Sequence, residues 1–272
     1  MKHNYKFIIL VVIILLIAGF MVFAPGVEKH NNIAIAGSTS VQPVAEKLAE
    51  QYMQIDSSDK LTVQGGGSSM GLNSVKKSSA QIGTYSSKLS SKKAGANVKQ
   101  TKIATDGIAI IVNPNNKVSD LTKDQVKDIF TGKITDWSQV GGTPGKINVI
   151  TREDGSGTRD AVTKVVLDDE DFVKNAVVQS STGSLMQSVS SDPNSIGYAS
   201  LSDLRENQIK KLKINGVEAT DSNIKDGSYV VQRPFLFLTN STPDNQTQTF
   251  INWVLSDEGQ KIVSEEGLVP VN

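Results

Sequence analysis

The most informative segment of this chain is INVITREDGSGTRDAVTKVVL, residues 147–167. Its apolar beginning, residues 147–150, predicts a strand, and its second apolar run, residues 161–167, predicts a helix. Between them lies a glycine-broken turn, residues 152–159. The N–H groups at a helix N-terminus are unpaired and the helix dipole favours negative charge there. This layout therefore predicts an α/β unit with an anion site at the start of its helix.

The side chains of the turn suit that chemistry. Gly155 and Gly157 allow the backbone to approach a ligand closely. Ser156 and Thr158 add short hydroxyl donors, and Arg152 adds a permanent cation with a fork of N–H groups. A lone turn of this kind is weak evidence. The alternative for Arg152 is a surface ion pair with Asp154.

Similar arrangements, in which a predicted strand ends in hydroxyl residues, occur three more times. In open α/β sheets, ligands bind at the carboxyl ends of strands, so hydroxyls from distant segments are expected to converge there. The alternative for Ser38, Thr39 and Ser40 is that one of them only caps the following helix. The alternative for the glycine-rich loop is tight packing of a helix on a strand. The three segments are IAIAGSTS (33–40), LTVQGGGSS (61–69) and QIGTYSS (81–87).

The remaining pattern alternates strands and helices and predicts an α/β fold with mostly parallel sheets. The longest β-like run, residues 228–238, contains Pro234, which predicts an edge strand or a bend. A single amphipathic helix is expected over residues 246–264. The other predicted elements are strands at 108–112, 177–179, 196–198 and 211–214 and a helix at 121–130.

Composition excludes several classes of function. The chain has 272 residues and no cysteine, so disulfides and thiolate metal sites are impossible. Its two histidines, His3 and His30, precede the globular body, which excludes Ser-His-Asp catalysis and histidine-rich metal sites there. We expect no metal and no cofactor. Residues 31–272 carry 25 basic and 27 acidic side chains, a balance without a nucleic-acid-binding signature.

The N-terminal segment is expected to meet a membrane. Residues 7–24 form an uncharged apolar run that follows Lys2 and Lys6. Such a run is either a membrane-spanning anchor or the core of a cleaved signal peptide. Pro25 argues against cleavage directly after the run, so we expect an uncleaved anchor with the body outside the cytoplasm. Residues 1–30 are thus assigned to this segment and a polar spacer.

The body resembles the phosphate-binding proteins of phosphate ABC importers, from about residue 33 to residue 272. The resemblance rests on several motifs in a specific order. They are AGSTS (36–40), QGGGSS (64–69), GIAIIVNP (107–114), IFTGKITDW (129–137), REDGSGT (152–158) and WVLS (253–256).

The resemblance implies a type II periplasmic-binding-protein-like fold, with two α/β domains and a ligand cleft between them. Domain one would comprise residues 31–108 and 230–272, and domain two residues 109–229. The two crossover segments would lie near residues 106–108 and 228–230. The residues alone predict α/β; the two-domain division comes from the resemblance.

The resemblance also implies the ligand contacts. Asp154 would hold Arg152 in place. Some members carry a carboxylate where this chain has Ser86, and that carboxylate accepts the proton of HPO₄²⁻, which sulfate lacks. The basis for rejecting sulfate is therefore left open here, as is whether Asp154 shares that role. The implied phosphate ligands are Ser38, Thr39, Ser40, Ser68, Ser86, Arg152, Ser156, Gly157 and Thr158.

The implied function is capture of inorganic phosphate outside the cytoplasm and its delivery to the permease and ATPase subunits of an ABC transporter, without catalysis. The alternatives are a binding protein for another oxyanion, such as sulfate or molybdate, and a surface phosphate sensor on the same fold. A phosphatase or serine hydrolase is disfavoured because the globular body has no histidine and the chain has no cysteine.

Overall fold

The computed structural model of the protein describes residues 31–204 and 209–272. The predicted N-terminal anchor lies outside these residues. Within the described ranges, none of the helices combines the length and the apolar character that a bilayer crossing requires.

Strands and helices alternate along the chain, as the sequence pattern predicts. The strands are β1 (Asn31–Gly37), β2 (Asp59–Gly65), β3 (Ile82–Tyr85), β4 (Val98–Val112), β5 (Asp120–Leu121), β6 (Asn148–Arg152), β7 (Val177–Gln179), β8 (Ser195–Ser200), β9 (Lys210–Lys211), β10 (Lys213–Ile214) and β11 (Gln232–Asn240). The helices are α1 (Gln42–Ile55), α2 (Ser68–Lys76), α3 (Ser91–Ala94), α4 (Lys123–Thr131), α5 (Gly157–Val165), α6 (Thr182–Ser191), α7 (Asp221–Lys225), α8 (Asn245–Val254) and α9 (Asp257–Glu265).

One large sheet has the strand order β2-β1-β3-β11-β4-β8-β6-β7, with β9 also paired to β4. Its two flanks are parallel: β1 pairs with β2 and β3, and β6 pairs with β7 and β8. Its centre is antiparallel, because β4 runs opposite to both β11 and β8. The α/β class is confirmed, whereas the expectation of mostly parallel sheets holds only for the flanks.

The expectation that Pro234 marks an edge strand is wrong, because β11 lies between β3 and β4. Pro234 lies opposite Thr105, whose N–H and C=O both bond to Val269 instead, at 2.8 and 2.9 Å. Thr105 therefore does not need the backbone N–H that Pro234 lacks. The register shifts immediately afterwards, between Phe235 and Leu236, in agreement with the predicted irregularity.

The predicted single C-terminal helix is wrong in one respect: it is two helices, α8 and α9. Ser256 stands between them as the N-cap of α9, and its hydroxyl accepts the N–H of Gly259 at 3.4 Å. A serine in the extended conformation at this point starts a new helix, although the apolar spacing on either side continues.

Buried apolar side chains form three clusters. The largest uses residues between Ile108 and Val231, and the other two use residues before Ile108 and after Val231. Strand β4 contributes Ile103 to one cluster and Ile108 to another, so this single strand connects two of the apolar clusters. The domain boundaries expected above remain a prediction.

Candidate functional site

The first group of candidate ligands lies at the carboxyl ends of β1, β2 and β3. Ser38 to Ser40 follow β1, Ser68 opens α2 after β2, and Ser86 follows β3. Because these strands run parallel and end at one edge, their hydroxyls meet. Ser38 Oγ donates to Ser86 Oγ at 2.8 Å, and the N–H of Ser86 donates to Ser68 Oγ at 3.1 Å. We call Ser38, Thr39, Ser40, Ser68 and Ser86 the first wall.

Capping does not explain the hydroxyls that follow β1. The N-cap of α1 is Val41, and no side chain caps this helix. Ser38 and Ser40 are buried, at 3% and 1% exposure, and their hydroxyls bond to other hydroxyl groups. The alternative that one of Ser38, Thr39 and Ser40 only caps the helix is therefore wrong.

The second group lies where β6 ends and α5 begins. Gly155 turns the chain with a φ of +95°, a conformation that favours glycine. Ser156 is the N-cap of α5, and its hydroxyl accepts the N–H of Arg159 at 3.3 Å. The first turn of α5 leaves backbone N–H groups available near Gly157 and Thr158. We call Arg152, Ser156, Gly157, Thr158 and Thr182 the second wall.

Gly157 sets how closely the two walls approach. A Cβ atom built at this position would collide with the hydroxyls of Ser68 and Ser86. A larger residue at this position would therefore require the Ser68 and Ser86 hydroxyls or the start of α5 to move.

Ser40 is the centre of the hydroxyl contacts between the walls. Its Oγ lies 2.9 Å from Thr158 Oγ1 and 3.1 Å from Thr182 Oγ1. Thr39 Oγ1 lies 3.3 Å from the same Thr182 oxygen. Since each hydroxyl has one proton and two lone pairs, this group can reorient its donors towards an anion. The structure thus brings the sequence-predicted residues together, with the hydroxyl of Ser156 used as a helix cap.

Arg152 is buried, with 2% exposure, and its guanidinium is held on several sides. Nε and Nη2 donate to the two carboxylate oxygens of Glu153, each at 2.8 Å. Nη1 donates to Thr182 Oγ1 at 3.2 Å. The backbone carbonyls of Gln179 and Ser180 accept two longer bonds. The alternative of a surface ion pair is excluded by this burial.

The expectation that Asp154 holds Arg152 in place is wrong. The Asp154 side chain is 96% exposed and lies 3.3 Å from Arg159. The acid that orients Arg152 is Glu153. Arg152 ends a buried strand, whereas Asp154 occupies the exposed turn before Gly155, so the two side chains separate.

Thr182 was not predicted from the sequence. It follows β7 through Ser180 and Ser181 and opens α6, with Ser181 as the cap. The other segments were identified by the same order of a strand, hydroxyl residues and a helix. Residues 177–184 show this order too, so Thr182 could have been predicted from the sequence.

Arg233 and Asp106 were also missed. Arg233 lies on β11 with 2% exposure, and its Nε donates to Asp106 Oδ2 at 2.8 Å. Its Nη1 donates to the Ser86 carbonyl at 3.1 Å and to Thr158 Oγ1 at 2.6 Å. Burial raises the pKa of Asp106, and the positive charge of Arg233 opposes that rise. The sequence did contain a signal for this pair, because Arg233 lies inside an apolar run. A charge that is buried with such a run needs a partner of opposite charge.

Asp203 adds a buried carboxyl group near these side chains. It ends the 3₁₀ turn Leu201–Asp203 that follows β8. Its Oδ2 is buried and has no hydrogen-bond partner among the described residues. Burial raises the pKa of Asp203 well above its usual value, and the charge of Asp106 adds to this, against the opposing charges of Arg233 and Arg152.

The chemistry of the assembled site is that of an anion receptor. Hydroxyls, helix N–H groups and the Arg152 guanidinium converge from the two walls, and the Arg233 guanidinium on β11 reaches Thr158. Donors to a charged partner form the stronger class of hydrogen bond. Thr158 and Thr182 each accept a bond from a guanidinium, so their own protons are directed elsewhere. The site can therefore surround a small oxyanion with donors.

Comparisons with known proteins agree with this geometry. The model of the PBP superfamily domain matches residues 24–258. The phosphate-binding protein PstS of Bacillus subtilis is 32% identical over 253 residues, which cover 91% of this chain and 84% of that protein.

Two solved structures are similar over nearly the whole body. One is the phosphate-bound crystal structure of a Clostridium perfringens protein classed as a phosphate ABC transporter substrate-binding protein. It has a TM-score of 0.86 and 39% identity, and the match covers 89% of this chain and 100% of that one. The other is an ABC-type phosphate transport receptor from Vibrio cholerae. It has a TM-score of 0.74 and 34% identity, with coverage of 87% and 99%.

Proposed function

Because this chain belongs to the PBP superfamily and, within it, to the PstS family of phosphate-binding proteins, we propose that it binds inorganic phosphate outside the cytoplasm and delivers it to an ABC permease. The periplasmic-binding-protein-like fold agrees with this membership.

The observation that carries the proposal is the convergence of donors around Ser40. Hydroxyls that end three parallel strands meet the N-terminus of α5 and a buried arginine. Phosphate presents four oxygens in a tetrahedron, so it requires donors from several directions. The contacts of Ser40 with Thr158 and Thr182 supply opposing directions within one small volume.

Selectivity for phosphate over sulfate is part of the proposal. Ser86 supplies a hydroxyl and not a carboxylate, and that hydroxyl already accepts a bond from Ser38. A serine hydroxyl retains a second lone pair that can accept the proton of HPO₄²⁻. Sulfate offers no such proton, so we expect phosphate to bind far better.

Closure of two domains is the proposed mode of capture. We propose that residues 31–108 with 230–272 and residues 109–229 move relative to each other about the two crossovers. The separate apolar clusters support this division. The two proposed crossover segments, 106–108 and 228–230, are in contact, because the Tyr229 hydroxyl donates to the Ile108 carbonyl at 2.9 Å. The permease would then recognise the closed form.

The N-terminal segment is proposed to keep the body at the outer face of the membrane. Its apolar run and preceding lysines suit an anchor, and release of the body by cleavage is the alternative. The test is protease treatment of intact cells that express the full chain. A membrane-bound body that is digested from outside agrees with the proposal, whereas a protected body contradicts it.

The binding proposal is tested by calorimetry on the full-length protein in mild detergent after exhaustive dialysis. Phosphate, sulfate, arsenate and molybdate are titrated separately under one buffer condition. Tight binding of phosphate with far weaker binding of sulfate is the expected result. Equal affinities for phosphate and sulfate would reject a phosphate-specific receptor.

We further propose that the chain has no catalytic role, in keeping with relatives that are named as binding proteins. Incubation with a chromogenic phosphate ester tests this. Sustained release of the chromophore, abolished by Arg152→Ala, would instead indicate a hydrolase that uses the same site.

A further inference from the structure

Arg233 has hydrogen-bonding capacity that the described residues do not use. Its Nε is engaged by Asp106 and its Nη1 by Ser86 and Thr158. Its Nη2 is buried and has no hydrogen-bond partner in the described part of the chain. A buried guanidinium nitrogen without an acceptor is costly, so its two N–H groups indicate an anionic partner.

Asp203 is not that partner. It is the other acid close enough to influence Arg233, and its Oδ2 also lacks a partner within the described ranges. Asp106 already balances the charge of Arg233 at 2.8 Å. The N–H groups of Nη2 therefore have no acceptor among the described residues.

The surroundings of Arg233 repeat those of Arg152. Each guanidinium places Nε against a carboxylate, Asp106 or Glu153. Each donates from Nη1 to a threonine hydroxyl: Arg233 to Thr158 and Arg152 to Thr182. Both threonine hydroxyls then lie within hydrogen-bonding distance of Ser40 Oγ. The Arg233–Thr158 pair and the Arg152–Thr182 pair therefore both lead to Ser40, although the two arginines lie on different strands.

We propose that Arg233 is a second anion-binding cation of this site, which contacts bound phosphate through Nη2 and orients the hydroxyl of Thr158 through Nη1. The inference rests on the proposed function, since it concerns the same ligand. It assigns a binding role to β11, which lies in the centre of the sheet beside the crossovers. Because Thr158 accepts from Arg233, its own proton is free to point at the ligand.

The principal variant is Arg233→Lys, which retains the charge and the pairing with Asp106 but removes the fork that includes Nη2. The control is Arg159→Gln, which removes an arginine that is bonded on the outer side of the same region, to the Arg152 carbonyl and Asp154. Calorimetry with phosphate and thermal unfolding are measured for both full-length variants. We expect a Kd at least about 30-fold higher for Arg233→Lys and a change within about fivefold for Arg159→Gln.

A measurement on the wild-type protein keeps the test independent of variant folding. The chain has four arginines, at 152, 159, 205 and 233, so ¹⁵N-arginine labelling yields a simple side-chain NMR spectrum. Addition of inorganic phosphate is expected to shift the guanidinium signals of Arg152 and Arg233.

The outcomes separate the two claims. Wild-type protein that fails to bind phosphate rejects the proposed function. Wild-type protein that binds phosphate, with an unmoved Arg233 signal and an Arg233→Lys affinity within about threefold of wild type, rejects the role of Arg233 alone. A shifted signal with weakened binding by the folded variant supports it.

Discussion

Gly157→Ala is the sharpest test of the proposed closure of the site. The added methyl group would overlap the hydroxyls of Ser68 and Ser86, which would have to retreat by about 1 Å to reach normal van der Waals contact. Because Ser38 and the Ser86 N–H hold those hydroxyls in place, we expect the two walls to separate, which stretches the bonds of Ser40 to Thr158 and Thr182 from 2.9 and 3.1 Å to about 4 Å.

The expected magnitude follows from those two bonds. Each neutral hydrogen bond contributes about 1 kcal/mol net, so the closed form loses about 2 kcal/mol relative to the open form. Phosphate affinity should fall by about 30-fold. Folding should not suffer, because Gly157 has an ordinary φ and alanine is the better helix former.

Gly183→Ala is the matched control. Gly183 also lies in the first turn of a helix, α6, but a Cβ there approaches only Ser181 Oγ, at 4.0 Å. Both variants are titrated with phosphate by calorimetry. Closure is followed by energy transfer between dyes on Ile55→Cys and Val178→Cys, which are exposed positions in a chain without native cysteine. If Gly157→Ala binds and closes like Gly183→Ala, the steric argument is refuted.

Three further predictions concern charged residues. Arg152→Ala should weaken phosphate binding by about 3 kcal/mol or more, since it leaves the anion under-paired; unchanged calorimetric affinity would contradict this. Glu153→Gln should raise the Kd by about tenfold and Asp154→Asn by less than about twofold, because Glu153 bonds to Arg152 whereas Asp154 bonds to Arg159; the reverse order in the same titration would restore Asp154 to that role. The raised pKa of Asp203 means that the folded state binds its proton more tightly than the unfolded state, so stability falls as pH rises above about 4. Asp203→Asn should therefore gain melting temperature relative to wild type as the pH is raised from about 4; a difference that does not change with pH would show that Asp203 does not titrate as argued.

Local sequence patterns predicted the site residues that directly follow a predicted strand. Ser38, Ser68 and Ser86 were identifiable because each follows an apolar run that predicts a strand, and parallel strands bring such ends together. Thr182 obeys the same rule, and its omission was avoidable. The α/β class followed from alternating periodicities, whereas the antiparallel centre depends on long-range pairing of β4 with β11, which no local pattern encodes.

Side-chain partners were harder to predict than positions. Glu153 and Asp154 are adjacent acids, and which of them meets Arg152 depends on where the strand ends and the exposed turn begins. Arg233 meets Asp106 across 127 positions of sequence, through the pairing of two central strands. Spacing rules cannot identify such a pair, although an arginine inside an apolar run already requires a buried acid.

The pairing of each guanidinium with a carboxylate has a kinetic consequence. Arg152 with Glu153 and Arg233 with Asp106 are each neutral overall, and residues 31–272 carry a net charge of −2. An approaching dianion therefore meets no long-range positive field, and its attraction begins only at contact distance. Its association rate should vary little with ionic strength, unlike that of receptors that steer their ligands by net charge.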